Sequence, residues 1–133
     1  MGKEKETLKI LIVDDSEIDL EFLQAQLEGL GFQNIIRCGD SRDANRLARQ
    51  HRPDLILLDI MMPELSGGEV RGLLSENPVT REIPVIYISS IIKKEEQKPL
   101  EDLSGDQIII AKPYNAEEIS KTINFVLGKT IES

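Results

Sequence analysis

The sequence has little of what marks extracellular, membrane-inserted or nucleic-acid-binding proteins. Its single cysteine, Cys38, excludes a disulfide framework within the chain and fits a reducing compartment. No apolar run approaches the roughly 18–20 residues of a membrane span, and the first residues, MGKEKET, lack the apolar stretch of a signal peptide. Basic residues number 16 against 24 acidic ones, and the net charge of −8 argues against a nucleic-acid-binding face. We therefore expect a cytoplasmic domain with no membrane insertion and no direct nucleic-acid contact.

Chain length and short apolar runs indicate the fold class. At 133 residues the chain has room for one domain. Continuous apolar runs occur at Leu8–Val13, Leu55–Leu58, Ile83–Ile88 and Ile108–Ala111, with a weaker, edge-type run at Asn34–Cys38. Such runs are typical of parallel strands covered on both faces. With helical periodicity between them, they predict an α/β fold: a doubly wound five-stranded parallel sheet with helices on both faces. We expect the domain to span residues 8–128, between a flexible leader at 1–7 and a flexible tail at 129–133.

Helix signals between the runs differ in strength. The first helix is predicted from an apolar stripe of Ile18, Phe22, Leu23, Leu27 and Leu30. Ser16 precedes this stripe with Asp19 three residues later, which is the spacing of a capping box. Asn115 is the predicted N-cap of the last helix. The segment Lys93–Leu103 is the least regular, because Pro99 stands where a fourth helix is expected and an internal proline costs about 3 kcal/mol.

Polar residues follow the strands at the sheet edge where ligands bind in open α/β folds. They are Asp14 and Asp15 after the first strand, Asp59 after the third, Ser89 and Ser90 after the fourth, and Lys112 after the fifth. Three crowded carboxylates need a cation, and oxygen ligands without a nearby histidine or cysteine favour Mg²⁺ over zinc. A carboxylate can also act as a nucleophile and form an aspartyl phosphate. Asp59 would be this nucleophile, with Mg²⁺ held by Asp14 and Asp15. Ser89 would donate to the phosphoryl group, and Lys112 would balance its charge.

Four motifs, in this order and spacing, resemble the receiver domain of two-component response regulators: ILIVDDS, PDLILLDIMMPELSGGE, IPVIYISS and AKPY. The resemblance covers the chain from about Leu8 to Leu127. It implies a flavodoxin-like sheet with strand order 2-1-3-4-5. It also implies a phosphoryl group taken from a phosphohistidine on a sensor histidine kinase or a histidine phosphotransfer protein. The chain would then be a switch that regulates a partner rather than an enzyme.

The same resemblance assigns the phosphorylation site. Asp59 would be the phosphoacceptor. Mg²⁺ would be bound directly by Asp15, by Asp59 and by the backbone carbonyl of Met61, while Asp14 acts largely through water.

The resemblance also assigns the residues around that site. Ser89 would be the switch hydroxyl that moves toward the phosphoryl group, and Lys112 would be the ion-pair partner of that group. Pro113 would follow a cis peptide bond, and Pro63 and Gly67 would shape the loop after Asp59.

Two departures from the family pattern concern switching, and two apolar residues concern the lifetime of the phosphorylated form. The family usually has an aromatic residue three positions before the lysine, and here that residue is Ile109. The family also has a regular fourth helix where this sequence has KKEEQK followed by Pro99. Met61 and Ile91 are apolar at positions that flank the route of attacking water in the family. We therefore predict a long-lived phosphorylated form.

Other interpretations of the same residues stay open. Asp14 and Asp15 could cap the first helix, and a register change of one residue would exchange Ser89 for Ser90. The chain could be a receiver-like interaction module with weakened switching. It could also be an aspartyl-phosphate phosphohydrolase, although those enzymes typically carry a second acid two residues after the nucleophile, where this chain has Met61.

Overall fold

The computed structural model describes residues 4–90 and 108–128, and within them strands and helices alternate. The strands are β1 (Lys9–Val13), β2 (Asn34–Cys38), β3 (Leu55–Asp59), β4 (Val85–Ser89) and β5 (Ile108–Ala111). The helices are α1 (Glu17–Gly29), α2 (Ala44–His51), α3 (Gly67–Ser75) and α4 (Ala116–Val126), and a short 3₁₀ helix spans Ser41–Asp43. None of these helices is long and apolar enough to cross a membrane. The irregular segment around Pro99 lies outside the described residues.

The strands form one parallel sheet in the order β2-β1-β3-β4-β5, which confirms the predicted doubly wound, flavodoxin-like topology. Strand β3 extends one residue beyond its apolar run, so Asp59 is the last residue of the strand rather than the first of the loop. Ser89 ends β4 in the same way. The register places Asp59 beside Ile88 and Ser89 beside Ala111, so the polar ends of these strands lie along one edge.

Alternate residues of the central strands enter two apolar clusters, one on each face of the sheet. In β1, Ile10 and Ile12 pack in the cluster that includes the buried residues of α1 and α4. Leu11 and Val13 pack in the cluster that includes residues of α2 and α3. Because both faces of β1 are covered, every position from Ile10 to Val13 is apolar. This explains why the runs are continuous rather than alternating.

The predicted apolar stripe of α1 is partly wrong. The buried residues are Leu20, Leu23 and Leu27, whose spacings of three and four place them on one helical face. Ile18 is 78% exposed and Phe22 is 50% exposed, because they lie on the opposite face. The sequence pattern had merged two faces of the helix into one.

Residues ahead of β1 make specific contacts. The amides of Thr7 and Leu8 donate to the carbonyl oxygen of Glu4, which closes a turn. The ammonium of Lys5 donates to the carbonyl oxygen of Leu30 at 3.2 Å and lies 5.5 Å from the centre of the Phe32 ring. This turn thereby covers the end of α1.

Candidate functional site

The carboxyl ends of β1, β3 and β5 bring four of the predicted site residues together. Asp14, Asp15 and Asp59 each offer a carboxylate oxygen, and these atoms lie within 4.8 Å of one another. Asp14 and Asp59 are buried, whereas Asp15 is exposed. The Lys112 Nζ atom lies 3.1 Å from Asp14 Oδ2 and 3.8 Å from Asp59 Oδ1. The described part of the chain thus holds one ammonium among three carboxylates at this edge.

Asp14 is held by the backbone on both sides. Its amide donates to the carbonyl oxygen of Cys38 at 3.1 Å, and its Oδ1 atom accepts from the amide of Ser16 at 2.9 Å. Ser16 itself is the N-cap of α1, because its hydroxyl accepts from the amide of Asp19 at 3.3 Å. The helix is therefore capped by Ser16, which leaves the carboxylates of Asp14 and Asp15 at the sheet edge.

The loop after Asp59 is fixed by close backbone contacts. The amide of Ile60 donates to the carbonyl oxygen of Ile88 at 3.1 Å, and the amide of Gly67 donates to the carbonyl oxygen of Ile60 at 2.9 Å. A Cβ atom added at Gly67 would lie 2.6 Å from the carbonyl oxygen of Asp59. Only glycine fits at this approach without a backbone shift. The start of α3 is thus packed directly against the backbone of Asp59.

Ser41 is a second support for this loop, and sequence reasoning missed it. Its hydroxyl donates to the carbonyl oxygen of Pro63 and accepts from the amide of Leu65, both at 3.0 Å. The residue is 2% exposed. Between the two contacts Glu64 has a φ of 69°, the left-handed region. No local sequence signal marks Ser41, because both partners are more than twenty residues away along the chain.

The backbone of Lys112 is held by one hydrogen bond, and its ammonium contacts more than one carboxylate. Its amide donates to the carbonyl oxygen of Ser89 at 2.8 Å. The Lys112–Pro113 peptide bond is cis, as predicted. The ammonium donates to Asp14 and also to Asp19 Oδ2, the latter at 2.9 Å. Asp19 is a site neighbour that the sequence did not reveal, because its spacing from Ser16 suggested a capping-box role instead.

The remaining predicted residues lie near this cluster in different environments. Ser89 is fully buried at the end of β4, and Ser90 is exposed. The Met61 side chain is 56% exposed. Ile109 is partly buried and pairs with Tyr87 across β4 and β5. Ile91 lies outside the described residues, and the assigned roles of Ser89 and of the Met61 carbonyl stay predictions.

Electrostatics at the site reflect a shortage of positive charge. Burial raises the pKa of Asp59 to about 6, the neighbouring Asp14 carboxylate adds to this increase, and Lys112 opposes it. Burial by itself lowers the pKa of Lys112, but the contacts with Asp19, Asp14 and Asp59 raise it above its usual range. The ammonium therefore stays charged. Three carboxylates with one ammonium still favour an additional cation.

The family of the chain follows from its sequence. Residues 10–124 match the model of the response regulator receiver domain, so the chain belongs to the response regulator receiver domain family. It is 35% identical over 119 residues to the polar-differentiation response regulator DivK of Brucella anthropi, covering 90% of this chain and 95% of that protein. It is 34% identical over 122 residues to DivK of Brucella ovis, covering 92% and 98%. These are signalling proteins of two-component systems.

Solved structures support the same assignment. A response regulator from Desulfuromonas acetoxidans aligns with a TM-score of 0.76 at 35% identity, covering 93% of this chain and 99% of that one. The receiver domain of a sensor histidine kinase from Pseudomonas aeruginosa PAO1 aligns with a TM-score of 0.77 at 24% identity, covering 91% and 98%. That domain was solved with a magnesium ion coordinated in its active site cleft. The fold predicted from the strand runs is thus that of a receiver domain.

Proposed function

We propose that this chain accepts a phosphoryl group on Asp59 from a phosphohistidine of a partner and thereby regulates a further protein. The observation that carries the proposal is the position of the Asp59 carboxylate. It is buried at a sheet edge, with two more carboxylates within 4.8 Å and an ammonium 3.8 Å away. Burial beside two like charges is costly, and carboxylates held in such surroundings are typical of functional sites.

The transfer needs an attacking oxygen and donors for the phosphoryl oxygens. One carboxylate oxygen of Asp59 attacks the phosphorus, a new P–O bond forms, and the P–N bond to histidine breaks. The second ring nitrogen of the phosphohistidine carries a proton, so the imidazole that leaves with the electron pair of the P–N bond is neutral. Lys112 and the Ser89 hydroxyl would then donate to the phosphoryl oxygens. Donors that are already in position stabilise the negative charge on these oxygens during the transfer.

The acidic residues fit a resident Mg²⁺ ion. Their oxygens are close enough to share one hard cation. Burial and the neighbouring Asp14 carboxylate raise the pKa of Asp59, and a cation beside it would favour the charged form. Asp15 and Asp59 would hold the ion together with the carbonyl oxygen of Met61, and Asp14 would act largely through water. When bound, Mg²⁺ neutralises charge on the phosphoryl oxygens.

The partner would dock beside the site on the exposed face of α1. Ile18 and Phe22 are exposed there, and a cavity of about 360 Å³ is bordered by Phe22, Lys112 and Tyr114. Exposed apolar side chains close to a reactive group are typical of an interaction surface. We propose a sensor histidine kinase or a histidine phosphotransfer protein as this partner, in the cytoplasm, with residues 8–128 as the single functional domain.

The alternative functions gain no support from the described residues. A phosphohydrolase of the aspartyl-phosphate type typically has a second acid two residues after the nucleophile, and here that position carries the apolar side chain of Met61. Residues 91–107, which include Pro99, lie outside the described part of the chain, and Ile109 alone does not favour an inert module over a switch.

Phosphorylation with acetyl phosphate and Mg²⁺ tests the proposal. Intact-mass spectrometry should show the addition of one phosphoryl group that is stable in acid and lost in base. Asp59→Ala should abolish the adduct. Asp43→Ala, which removes an acid in the 3₁₀ helix beyond β2, should leave it unchanged. Absence of an adduct, or an adduct that survives Asp59→Ala, would refute the assignment.

A further inference from the structure

The ammonium of Lys112 is shared unequally among three carboxylates. It lies 2.9 Å from Asp19, 3.1 Å from Asp14 and 3.8 Å from Asp59. The first two contacts are hydrogen bonds, and the third is longer than a hydrogen bond. The ammonium is therefore held on the α1 side of the site, away from the proposed phosphoacceptor.

The geometry allows this position to change. The backbone of Lys112 is fixed by its hydrogen bond to Ser89, but the lysine side chain is a flexible four-carbon stem. Asp19 is likewise fixed at its amide by Ser16, and its side chain is 43% exposed. Only the two side-chain ends need to move for the Lys112–Asp19 contact to open.

We infer that Asp19 is a positioning residue that holds Lys112 on the α1 side, and that a phosphoryl group on Asp59 must displace this contact. This inference rests on the proposed phosphorylation of Asp59. A phosphoryl group on Asp59 brings additional negative charge and three acceptor oxygens close to Lys112. Asp19 competes with that group for the ammonium, and its own charge also repels the group.

Opening the contact would affect the first turns of α1. Asp19 lies between the exposed residues Ile18 and Phe22, and the Phe22 ring lies 5.7 Å from the Tyr114 ring in a tilted arrangement. The Asp19–Lys112 ion pair and this ring contact both join α1 to the segment 112–114. Displacement of the ion pair would weaken this junction, so the occupancy of Asp59 would be transmitted to the face on which a partner would dock.

Binding of beryllofluoride, a phosphoryl mimic, tests the inference in the presence of Mg²⁺. Asp19→Asn keeps the size and an acceptor oxygen but removes the charge. We expect it to tighten beryllofluoride binding at least about threefold, as loss of a competing ion pair would. Glu21→Gln makes the same charge change on the same helix at an exposed position, and it should match the wild type.

NMR signals of the Lys112 ammonium and of the Asp19 carboxyl carbon distinguish a positioning role of Asp19 from a purely structural one. If Asp19 had only a structural role, these signals would not change when the mimic binds. Both signals should shift together when beryllofluoride binds the wild type, and the amide of Phe22 should shift with them. Equal or weaker binding by Asp19→Asn, or an unmoved Asp19 carboxyl signal, would overturn the inference while the proposed function stands. Failure of the wild type to bind the mimic would overturn both.

Discussion

The hydroxyl of Ser41 donates a hydrogen bond to the carbonyl oxygen of Pro63, and this contact ties the region after β2 to the loop that follows Asp59. The same hydroxyl accepts from the amide of Leu65, so one side chain holds the loop on both sides of Glu64. Because the loop also contains Met61, its shape determines where the proposed carbonyl ligand lies. Ser41, which is not adjacent to Asp59 in the sequence, thus supports the loop that follows Asp59.

Ser41→Ala should destabilise the fold and weaken the site. The substitution leaves the Pro63 carbonyl and the Leu65 amide without this partner, which costs about 1–3 kcal/mol for buried polar groups. Urea unfolding should show this loss, and the affinity for Mg²⁺ should fall as the loop loosens. Ser75→Ala is a control, because it removes an exposed hydroxyl that bonds only within its own helix. Equal stability of the two variants would contradict the role of Ser41.

Gly67→Ala and Gly68→Ala should have opposite effects. An added Cβ at Gly67 meets the Asp59 carbonyl oxygen at 2.6 Å, so the backbone must shift, at a cost of roughly 1–3 kcal/mol. At Gly68 the nearest atom is the Ser66 hydroxyl at 3.9 Å, so alanine should stabilise the helix by about 0.5–1 kcal/mol. Urea midpoints measure both effects. Phosphorylation by acetyl phosphate should slow in the Gly67 variant only.

Asp59→Asn should stabilise the metal-free protein at neutral pH. The pKa of Asp59 is about 6 in the folded chain and about 3.9 when unfolded, so the folded chain binds this proton more tightly. The loss of folding stability caused by the charge of Asp59 is therefore absent below about pH 4, grows between pH 4 and 6, and reaches its full size above pH 6. It amounts to roughly 3 kcal/mol at pH 7.5.

Urea unfolding in EDTA at pH 4 and at pH 7.5 checks this prediction. The difference in stability between Asp59→Asn and the wild type should be small at pH 4 and close to its maximum at pH 7.5. Glu21→Gln, an exposed acid-to-amide change, should show no comparable trend. A difference that does not vary with pH would show that burial of Asp59 carries no such cost.

Met61→Asn should shorten the lifetime of the phosphorylated protein. Met61 lies two residues beyond Asp59, and its exposed apolar side chain cannot orient an attacking water. An amide can hydrogen-bond a water, and we expect loss of the phosphoryl group to accelerate at least about threefold. Intact mass followed over time after removal of acetyl phosphate gives the rate. Leu73→Asn, the same type of change on α3, is the control and should keep the wild-type lifetime.

The fold was predictable because its signals are local and mutually consistent. Strands covered on both faces are continuous apolar runs, and the parallel sheet aligns their polar ends at one edge. The N-cap at Asn115 was also predictable, since its side chain accepts from Glu118 three residues later, within the same helix turn. Asp14, Asp15, Asp59 and Lys112 could be grouped for the same reason: each lies at the carboxyl end of a strand or within two residues of it.

Contacts that depend on side-chain direction were not predictable. Ser16 and Asp19 have capping-box spacing, but the amide of Ser16 donates to Asp14 and the Asp19 carboxylate reaches Lys112, 93 residues away. The partners of Ser41 come from a loop whose path depends on a left-handed residue, Glu64. Spacing along the chain defines which helix face a residue occupies, but not which distant side chain it meets.

The division of α1 into two faces places the residues that stabilise the fold and the residues proposed to contact a partner on opposite sides of one helix. Leu20, Leu23 and Leu27 hold the helix in the core, whereas Ile18 and Phe22 face outward within the same thirteen residues. Substitutions at Ile18 and Phe22 would therefore alter the proposed docking face with little effect on folding. Under that proposal, partner choice would diverge, or could be redesigned, along one helix while the buried leucines stay unchanged.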